Sequence, residues 1–275
     1  MKQKRIIITA GPTNERIDSV MKITNMSTGS LGCTIAKRLL EDPCVGKLIY
    51  LAPELAHRPD TTDPRFQYIE TFDADSMLNT LRVLLSDPEH PVDAVVHSAA
   101  VGDYKARYSV RGEDLAREIA KRVMDTAHAS GNGTWFMNQN NIEASVMDVI
   151  KNPACIVDDS GKMSSYEPNL MVMMNLTPKV VRCVKKTSPE TMLVMWKLLD
   201  GVSDTHLFDV ASALRRKNGA DFVVANDLSR IKNGRHWAMV IGPDEDNPDN
   251  PDRVVATCET KIGIADAVAG LVLTD

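Results

Sequence analysis

The sequence lacks the features that mark several classes of protein. Its five cysteines are dispersed, with no Cys-x-x-Cys pair and no histidine at metal-ligand spacing, so we expect reduced thiols. No apolar run approaches the ~18 residues of a membrane span. The three isoleucines after Arg5 are too few for the apolar region of a signal peptide. A net charge of −5 gives no global attraction to nucleic acid or to an anionic membrane. We therefore expect a cytoplasmic protein with neither nucleic acid nor a membrane as its partner.

The sequence also lacks a recognisable set of side chains for nucleophilic catalysis. There is no Ser/His/Asp order, no His-x-x-x-His metal pair and no catalytic cysteine setting, and His97, His206 and His236 are isolated along the chain. Positioning of reactants and neutralisation of charge are therefore the modes of catalysis that remain.

What the sequence does contain is an alternation of short apolar runs with helical segments. Charged residues at 25% and hydrophobic residues at 43% are those of an ordinary globular protein. The alternation predicts an α/β fold, with a Rossmann-like, mostly parallel sheet and helices on both faces. The predicted strands are Arg5–Thr9, Lys47–Leu51, Gln67–Glu70, Ala94–Ser98, Met192–Lys197 and Phe222–Ala225, and the predicted helices are Gly29–Leu40, Asp75–Ser86, Thr177–Lys186 and Asp204–Lys217.

Residues 105–175 interrupt this alternation within what we expect to be a single α/β domain over residues 1–275. They contain a helical stretch, Glu113–Ala129, a turn at Ser130–Gly133 and an alternating run, Asn169–Leu176. We expect an inserted helix followed by a flap or arm that is used in dimerisation or in closing the site. Near the end of the chain, the acidic, proline-rich stretch Gly242–Asp252 predicts a surface loop between two terminal strands, Trp237–Ile241 and Val254–Thr257.

Two glycine-containing turns lie close to the N-terminus. An apolar run, Ile6–Thr9, breaks at Gly11-Pro12, and a second turn with Gly29 and Gly32 leads into a helix. Free backbone N–H groups and the positive end of the helix dipole favour an anion there, so a nucleotide or another phosphate ester is predicted. The spacing is not the Gly-x-Gly-x-x-Gly dinucleotide fingerprint, because about twenty residues separate the first strand from Gly29.

Further candidates follow predicted strands or lie in polar turns. The small residues Ala99 and Ala100 would let a flat ring approach the backbone, and Asp103 could accept from a base, bind a metal ion or simply cap a turn. Lys162 lies in a polar turn and is either a solvated surface residue or a cation for a phosphate.

Two candidates lie further along the chain, and each has a structural alternative. Trp196 could stack on a nucleobase or pack in the core. The run Arg215-Arg216-Lys217 could grip a triphosphate or complement the dipole at the end of its helix.

Taken in order, these motifs resemble the phosphopantothenate–cysteine ligase family of coenzyme A biosynthesis in its stand-alone form. The matching blocks cover most of residues 5–241. They are Ile8–Asp18, Ile23–Gly32, Ser98–Tyr104, Gly161–Ser165, Thr177–Lys179, Trp196–Leu198, His206-Leu207 and Ala225–Asp227.

The resemblance implies a homodimer with a Rossmann-like sheet that uses magnesium and a nucleoside triphosphate, with CTP favoured over ATP. Such an enzyme converts 4′-phosphopantothenate to an acyl-nucleotidylate and pyrophosphate. The amine of L-cysteine then attacks the acyl group and releases the nucleoside monophosphate. This chemistry agrees with the absence of a nucleophilic side chain.

The resemblance also implies roles for individual residues. Asn25 would hold the acyl-nucleotidylate and polarise its carbonyl, Lys162 would be the flap lysine, and Asp103 would lie on the metal side of the cleft. The implied nucleotide-binding residues are Gly11, Ser27, Gly29, Gly32, Ala99, Ala100, Asp103, Trp196, Lys217 and Asn226.

The chain departs from the family pattern at Met21, where an arginine associated with cysteine coupling is usual. Either the neighbouring Lys22 substitutes for that arginine or the coupling step is altered. Two other hypotheses therefore stay open: a Rossmann-type oxidoreductase that binds NAD(P), and a non-catalytic regulatory relative of the ligase.

Overall fold

A computed structural model describes residues 3–129, 138–232, 234–247 and 251–274 of the chain. They form two compact units. Unit 1 comprises residues 1–14, 24–103 and 177–275, and unit 2 comprises residues 15–23 and 104–176. Residues 105–175, which interrupt the alternation in the sequence, therefore make up most of unit 2. The short segment 15–23 is the rest of this unit. The description of the chain as one domain stays a prediction.

The secondary-structure elements are numbered in chain order. The strands are β1 (Lys4–Thr9), β2 (Asn14–Arg16), β3 (Lys22–Thr24), β4 (Val45–Ala52), β5 (Phe66–Glu70), β6 (Ala94–His97), β7 (Tyr104–Arg111), β8 (Leu170–Leu176), β9 (Met192–Leu199), β10 (Phe222–Asp227), β11 (Ala238–Pro243) and β12 (Asp252–Cys258). The α-helices are α1 (Ser30–Leu40), α2 (Ala74–Leu85), α3 (Gly112–Ala129), α4 (Gln139–Lys151), α5 (Arg182–Thr187), α6 (Asp204–Asn218) and α7 (Lys261–Leu273), and a 3₁₀ helix covers Leu228–Arg230.

Unit 1 is built on an eight-stranded sheet in the order β12-β11-β10-β9-β6-β1-β4-β5. The strands from β5 to β10 in this order run parallel, and β11 and β12 are antiparallel to their neighbours. The predicted mostly parallel, Rossmann-like sheet is thus confirmed. From β1 the chain proceeds to β4 and β5 on one side, and later to β6, β9 and β10 on the other. The strand order therefore reverses between β1 and β6, and ligands of such sheets bind at that point.

Both faces of the sheet are covered, which explains why its central strands are continuously apolar. In β1, Ile6 and Ile8 join the cluster under α1 and α7, whereas Ile7 joins the cluster under α2, α5 and α6. All three isoleucines are fully buried. Alternate residues of one strand thus supply two separate cores, and helices lie on both faces as predicted.

One predicted helix begins later than expected. The prediction was Thr177–Lys186, but α5 begins at Arg182. The backbone N–H of Thr177 donates to the Asp103 carbonyl at 3.0 Å. Pro178 also disfavours a helical conformation at Thr177, because its ring restricts the residue before it.

Unit 2 has a small core of its own. Strands β7 and β8 pair antiparallel, with Tyr104 opposite Leu176 and Arg111 opposite Leu170. Their inner side chains meet α3 and α4 in a cluster that contains Tyr108, Val110, Leu115 and Val149. The expected arm run is therefore one strand of a two-stranded ribbon.

Of two expected irregular segments, one lies outside the described residues and the other is partly covered. The expected turn Ser130–Gly133 lies outside the described residues, and so do residues 248–250 of the expected acidic loop. That loop does join the two antiparallel strands β11 and β12. Within the described ranges, no helix combines the length and apolar character that crossing a membrane requires.

Candidate active site

The turns that follow β1 and β6 are hydrogen-bonded to each other where the strand order reverses. The Ala100 N–H donates to the Gly11 carbonyl at 2.9 Å, and the Thr13 N–H donates to the Ala100 carbonyl at 3.3 Å. The Gly102 N–H donates to Thr13 Oγ1 at 2.8 Å. The structure thus brings together the predicted site residues Gly11, Ala99 and Ala100.

Gly11 and Gly29 lie close together in space. Both have left-handed backbones, with φ of +74° and +77°, which favour glycine. A Cβ on Gly29 would lie 3.1 Å from the Gly11 nitrogen, and a Cβ on Gly11 would lie 2.6 Å from Ala56 Cβ. The missing side chain of Gly29 therefore allows the two predicted phosphate-binding turns to approach each other, and that of Gly11 leaves room for Ala56.

Gly32 lets the first turn of α1 pack against both strand ends. A Cβ there would lie 2.5 Å from Ala10 Cβ and 2.8 Å from Ser98 Oγ. Ser27 lies just before this helix, and its Oγ accepts from the Gly29 N–H at 3.4 Å. The positive end of the α1 dipole is thereby held beside Ala10 and Ser98, as an anion site requires.

Asn25 lies on the same edge of the sheet. Its Nδ2 donates to the Ala100 carbonyl at 3.0 Å, and the residue is exposed. The preceding Thr24 donates through Oγ1 to the Thr13 carbonyl at 2.9 Å. Because a side-chain amide has two N–H groups, one can fix the orientation of Asn25 while the other is available to a ligand.

Asp103 is held beside a lysine that the sequence reading did not assign to the site. Its carboxylate lies 2.5 Å from Lys179 Nζ, and both side chains are substantially exposed. Thr177, two residues earlier, donates through Oγ1 to the Gly102 carbonyl. The motif Thr177-Pro178-Lys179 therefore closes against the Gly102-Asp103 turn.

The fit of the implied magnesium ion depends on this carboxylate. The described residues include no group of three or more His, Cys, Asp or Glu side chains that could hold a metal. Mg²⁺ is commonly bound by one or two carboxylates together with substrate phosphates. Asp103 fits that arrangement, provided that its contact with Lys179 is exchanged for the ion.

His97 was missed as a candidate because it is isolated in the sequence. It ends β6, is almost fully buried, and its Nδ1 lies 2.8 Å from Thr9 Oγ1. Thr9 Oγ1 also accepts from the Ala99 N–H at 3.4 Å. Burial lowers the pKa of His97 to about 4, so the ring is neutral at pH 7. The neutral His97 and Thr9 side chains thus support the backbone at the start of the Ala99–Ala100 turn.

Two other predicted nucleotide-binding residues are partly or fully buried. Trp196 does not end its strand, because β9 continues to Leu199, and its partly buried ring packs on the cluster under α1 and α7. Asn226 is buried, and its Nδ2 donates to the Trp237 carbonyl at 2.8 Å. Core packing therefore accounts for Trp196, and base stacking by this residue remains a hypothesis.

Lys217 lies away from the glycine turns within one chain. It lies in the last turn of α6, a 15-residue helix that starts beyond the end of β9 and leads back to the start of β10. A helix of that length spans ~22 Å, so Lys217 lies at the amino edge of the parallel strands, opposite the glycine turns. Its neighbours Arg215 and Arg216 both bind the buried carboxylate of Asp252. The triphosphate role of Lys217 itself stays a prediction.

The predicted catalytic lysines both belong to unit 2. Lys22 begins β3, and Lys162 lies in the turn before β8; both are exposed. Met21, at the position of the expected family arginine, is 41% exposed.

A cavity of about 480 Å³ lies elsewhere in unit 1. It is lined by Asp204, Phe208, Trp237, Met239 and Val254, among others. No predicted site residue lines it, so the glycine turns remain the candidate nucleotide site.

Comparisons with known proteins agree with the motif resemblance. Residues 1–124 match the family described as DNA/pantothenate metabolism flavoprotein, C-terminal domain. The chain is 25% identical over 244 residues to the coenzyme A biosynthesis bifunctional protein CoaBC of Thermococcus kodakarensis, covering 89% of this chain and 46% of that relative. It is 32% identical over 105 residues to CoaBC of Vibrio vulnificus, covering 38% of this chain and 24% of that relative. The chain thus spans less than half the length of these curated relatives.

Solved structures extend the likeness to nearly the whole chain. The DNA/pantothenate metabolism flavoprotein from Streptococcus pneumoniae superimposes with a TM-score of 0.72 and 26% identity, covering 98% of both chains. A Cab2 variant in complex with phosphopantothenate-cysteine has a TM-score of 0.56 at 15% identity, which shows the fold alone. These matches confirm the resemblance of this chain to the phosphopantothenate–cysteine ligase family.

Proposed function

We propose that this chain is a phosphopantothenate–cysteine ligase. In the first step a carboxylate oxygen of 4′-phosphopantothenate attacks the α-phosphorus of a nucleoside triphosphate, with CTP favoured, and pyrophosphate leaves. In the second step the amine of L-cysteine attacks the acyl carbon, an amide bond forms, and the nucleoside monophosphate leaves. The observation that carries this proposal is the Asn25 amide, which is hydrogen-bonded to Ala100 between the two turns that favour phosphate.

The geometry supports a different role in the reaction for each of several residues of unit 1. The N–H groups at the start of α1 and the turn at Gly11 would bind the phosphates, because they offer donors and a positive dipole without bulky side chains. The second N–H of Asn25 would donate to the acyl carbonyl, and such a donor stabilises the negative charge that develops on oxygen during attack. Asp103 would hold magnesium together with phosphate oxygens, and the ion would neutralise charge on the leaving pyrophosphate.

Lys162 and Lys22 complete the proposal from unit 2. Lys162 would contribute a cation to the phosphates in the first step. Lys22 would take the place of the family arginine in cysteine coupling, since Met21 carries no charge. Homodimerisation, expected from the resemblance, belongs to the same proposal.

The experiment is a coupled pyrophosphate assay with 4′-phosphopantothenate and CTP, ATP, GTP or UTP, with and without cysteine. We expect pyrophosphate release with 4′-phosphopantothenate alone, and release of the nucleoside monophosphate only when cysteine is added. Asn25→Ala should lower the rate by about a hundredfold, as loss of one such donor does. The matched control is Asn218→Ala, because Asn218 also donates to a backbone carbonyl, that of Leu214 at 2.9 Å, but lies at the end of α6. No pyrophosphate with any nucleotide, from a protein that binds 4′-phosphopantothenate, would contradict the ligase.

The same assay decides the open alternatives. If Lys22 substitutes for the arginine, Lys22→Ala should slow the cysteine-dependent step and leave pyrophosphate release intact. Activity that appears only in Met21→Arg would instead favour a non-catalytic relative. A titration with NADH tests the oxidoreductase hypothesis, for which the exposed Glu54 after β4 occupies the place of the acidic ribose ligand.

A further inference from the structure

Asp18 is a buried carboxylate in unit 2 that the proposed mechanism does not use. Its side chain is only 4% exposed. Its Oδ1 accepts from the backbone N–H groups of Val20 at 2.7 Å and Met21 at 2.6 Å. These two bonds fold the segment that leads to Lys22 into a tight turn.

The second oxygen of Asp18 reaches a different loop. Oδ2 accepts from the Met163 N–H at 3.0 Å, and the Ser19 N–H donates to the Gly161 carbonyl at 3.4 Å. Met163 is itself 4% exposed, whereas Lys162 beside it is exposed. The Lys162 turn is therefore attached on both sides of the lysine to the segment after β2.

The chemistry of these contacts requires an ionised carboxylate. The N–H donors of Met21, Met163 and Val20, in that order, lower the pKa of Asp18, and the positive charge of Lys162 adds a smaller effect. A neutral acid would present an O–H to one of the N–H groups and break that contact. Because the pKa of Asp18 is lowered, the carboxylate keeps all three contacts from neutral pH down to pH values below the usual carboxyl range.

We propose that Asp18 is a positioning residue that fixes the Lys162 turn to the Lys22 segment, so that one carboxylate sets both proposed catalytic cations. The proposal rests on the proposed function for the role of Lys162, but the attachment itself can be measured without activity. Asp18 contacts no reactant in this scheme and acts only through the backbone of the two loops.

The substitution Asp18→Asn separates the two parts of this arrangement. The asparagine carbonyl can keep both bonds to Val20 and Met21, but its NH₂ group then faces the Met163 N–H, donor against donor. The local turn is retained while the attachment of the Lys162 turn is lost. Asp158→Asn is the matched control, because Asp158 is an exposed carboxylate whose bond, to the Ser160 N–H at 2.9 Å, stays within its own turn.

The first readout is amide hydrogen exchange at Met163 in the full chain. In the wild type we expect this amide to exchange more slowly than those of its exposed neighbours Lys162 and Ser164. Asp18→Asn should accelerate exchange at Met163 about tenfold, the effect of losing one charge-assisted hydrogen bond, and Asp158→Asn should not. Fast exchange at Met163 in the wild type would overturn the proposal without any variant.

The second readout is a double-mutant cycle on pyrophosphate release. Asp18→Asn should lower kcat about tenfold in the native chain and have no further effect in the Lys162→Ala background, because Asp18 acts through Lys162. Equal losses in both backgrounds would indicate a general structural role and overturn the proposal. If the wild type releases no pyrophosphate with any nucleotide, the proposed function fails, and the exchange measurement alone decides whether Asp18 fixes the turn.

Discussion

Substitution of Gly32 by alanine tests whether the glycine-rich turn exists for close packing. Gly32 lies inside the first turn of α1, where alanine is otherwise the better residue by ~1 kcal/mol. Its added Cβ, however, would lie 2.5 Å from Ala10 Cβ and 2.8 Å from Ser98 Oγ. Ala10 Cβ is fixed to its backbone and Ser98 Oγ is held by its bond to the Thr9 carbonyl at 2.8 Å, so we expect α1 itself to move away from β1.

The magnitude follows from these opposing effects. Overpacking a well-packed site costs ~1–3 kcal/mol, against the gain in helix propensity of ~1 kcal/mol. We therefore expect Gly32→Ala to lower the free energy of unfolding by ~0–2 kcal/mol. The larger effect should be on the nucleotide, because a shift of about 1 Å in the donors can weaken a positioned interaction by ~10- to 100-fold.

Gly270→Ala is the matched control for this measurement. Gly270 lies in α7, and a Cβ there meets nothing within 4 Å. This variant should gain ~1 kcal/mol from helix propensity, a rise in Tm of ~2–4 °C for a chain of this size, with unchanged CTP affinity. The assays are thermal unfolding and calorimetric titration with CTP. If Gly32→Ala raised Tm as Gly270→Ala does and kept its CTP affinity, the argument from close packing would be refuted.

Three further predictions concern other parts of unit 1. Asp252→Ala should lower the free energy of unfolding in urea by ~3 kcal/mol, because Arg215 and Arg216 lose their shared buried carboxylate; the exposed Arg38–Asp266 pair is the control, and Asp266→Ala should cost under ~1 kcal/mol. The pKa of His97 is depressed to about 4 in the folded state. Neutral His97 therefore makes its full contribution to the free energy of unfolding above pH 6.5, and up to ~3 kcal/mol of that free energy is lost as the pH falls towards 4. A His97 ring that titrates near 6.5 by NMR would contradict this. Lys179→Ala should lower the Mg²⁺ concentration needed for nucleotide binding, because the Asp103 carboxylate loses its competing cation; an unchanged Mg²⁺ titration would show that Asp103 does not take the ion.

Local patterns predicted the parts of the fold that depend on local physics. The run Ile6–Ile8 indicated a strand buried on both faces, and the break at Gly11 indicated the turn. Pairings between distant segments could not be predicted in this way. The contacts of Asn25 with Ala100 and of Asp103 with Lys179 span 75 and 76 residues, and no periodicity within a segment encodes a partner so far away. Helix α7 was missed because its apolar residues recur too frequently to give the one-sided pattern of a surface helix.

The position of Lys217 in the fold follows from the order of the elements along the chain. A helix that joins two parallel strands starts at their carboxyl edge and returns to their amino edge, so its last turn is remote from a ligand at the carboxyl edge. Lys217 precedes β10 closely in the sequence, which was enough to place it at the amino edge. The triphosphate role of Lys217 was implied by the family resemblance and stays a prediction.

The segment between β1 and α1 explains why the dinucleotide fingerprint is absent although the fold resembles that of dinucleotide-binding proteins. In those proteins a short turn joins strand to helix, and its glycines face the pyrophosphate. Here residues 15–23 leave unit 1 after Asn14 and the chain returns at Thr24. The bond from Thr24 Oγ1 to the Thr13 carbonyl closes that loop at its base. Because the loop is closed there, Gly29 can approach Gly11 as it would in a short turn, and Asn25 is hydrogen-bonded to Ala100, whose N–H donates to the Gly11 carbonyl. The insertion thus keeps the approach of the two glycine turns and adds a side-chain amide near the Gly11 turn. An amide at this position suits a reaction at a carbonyl next to a phosphate better than it suits hydride transfer.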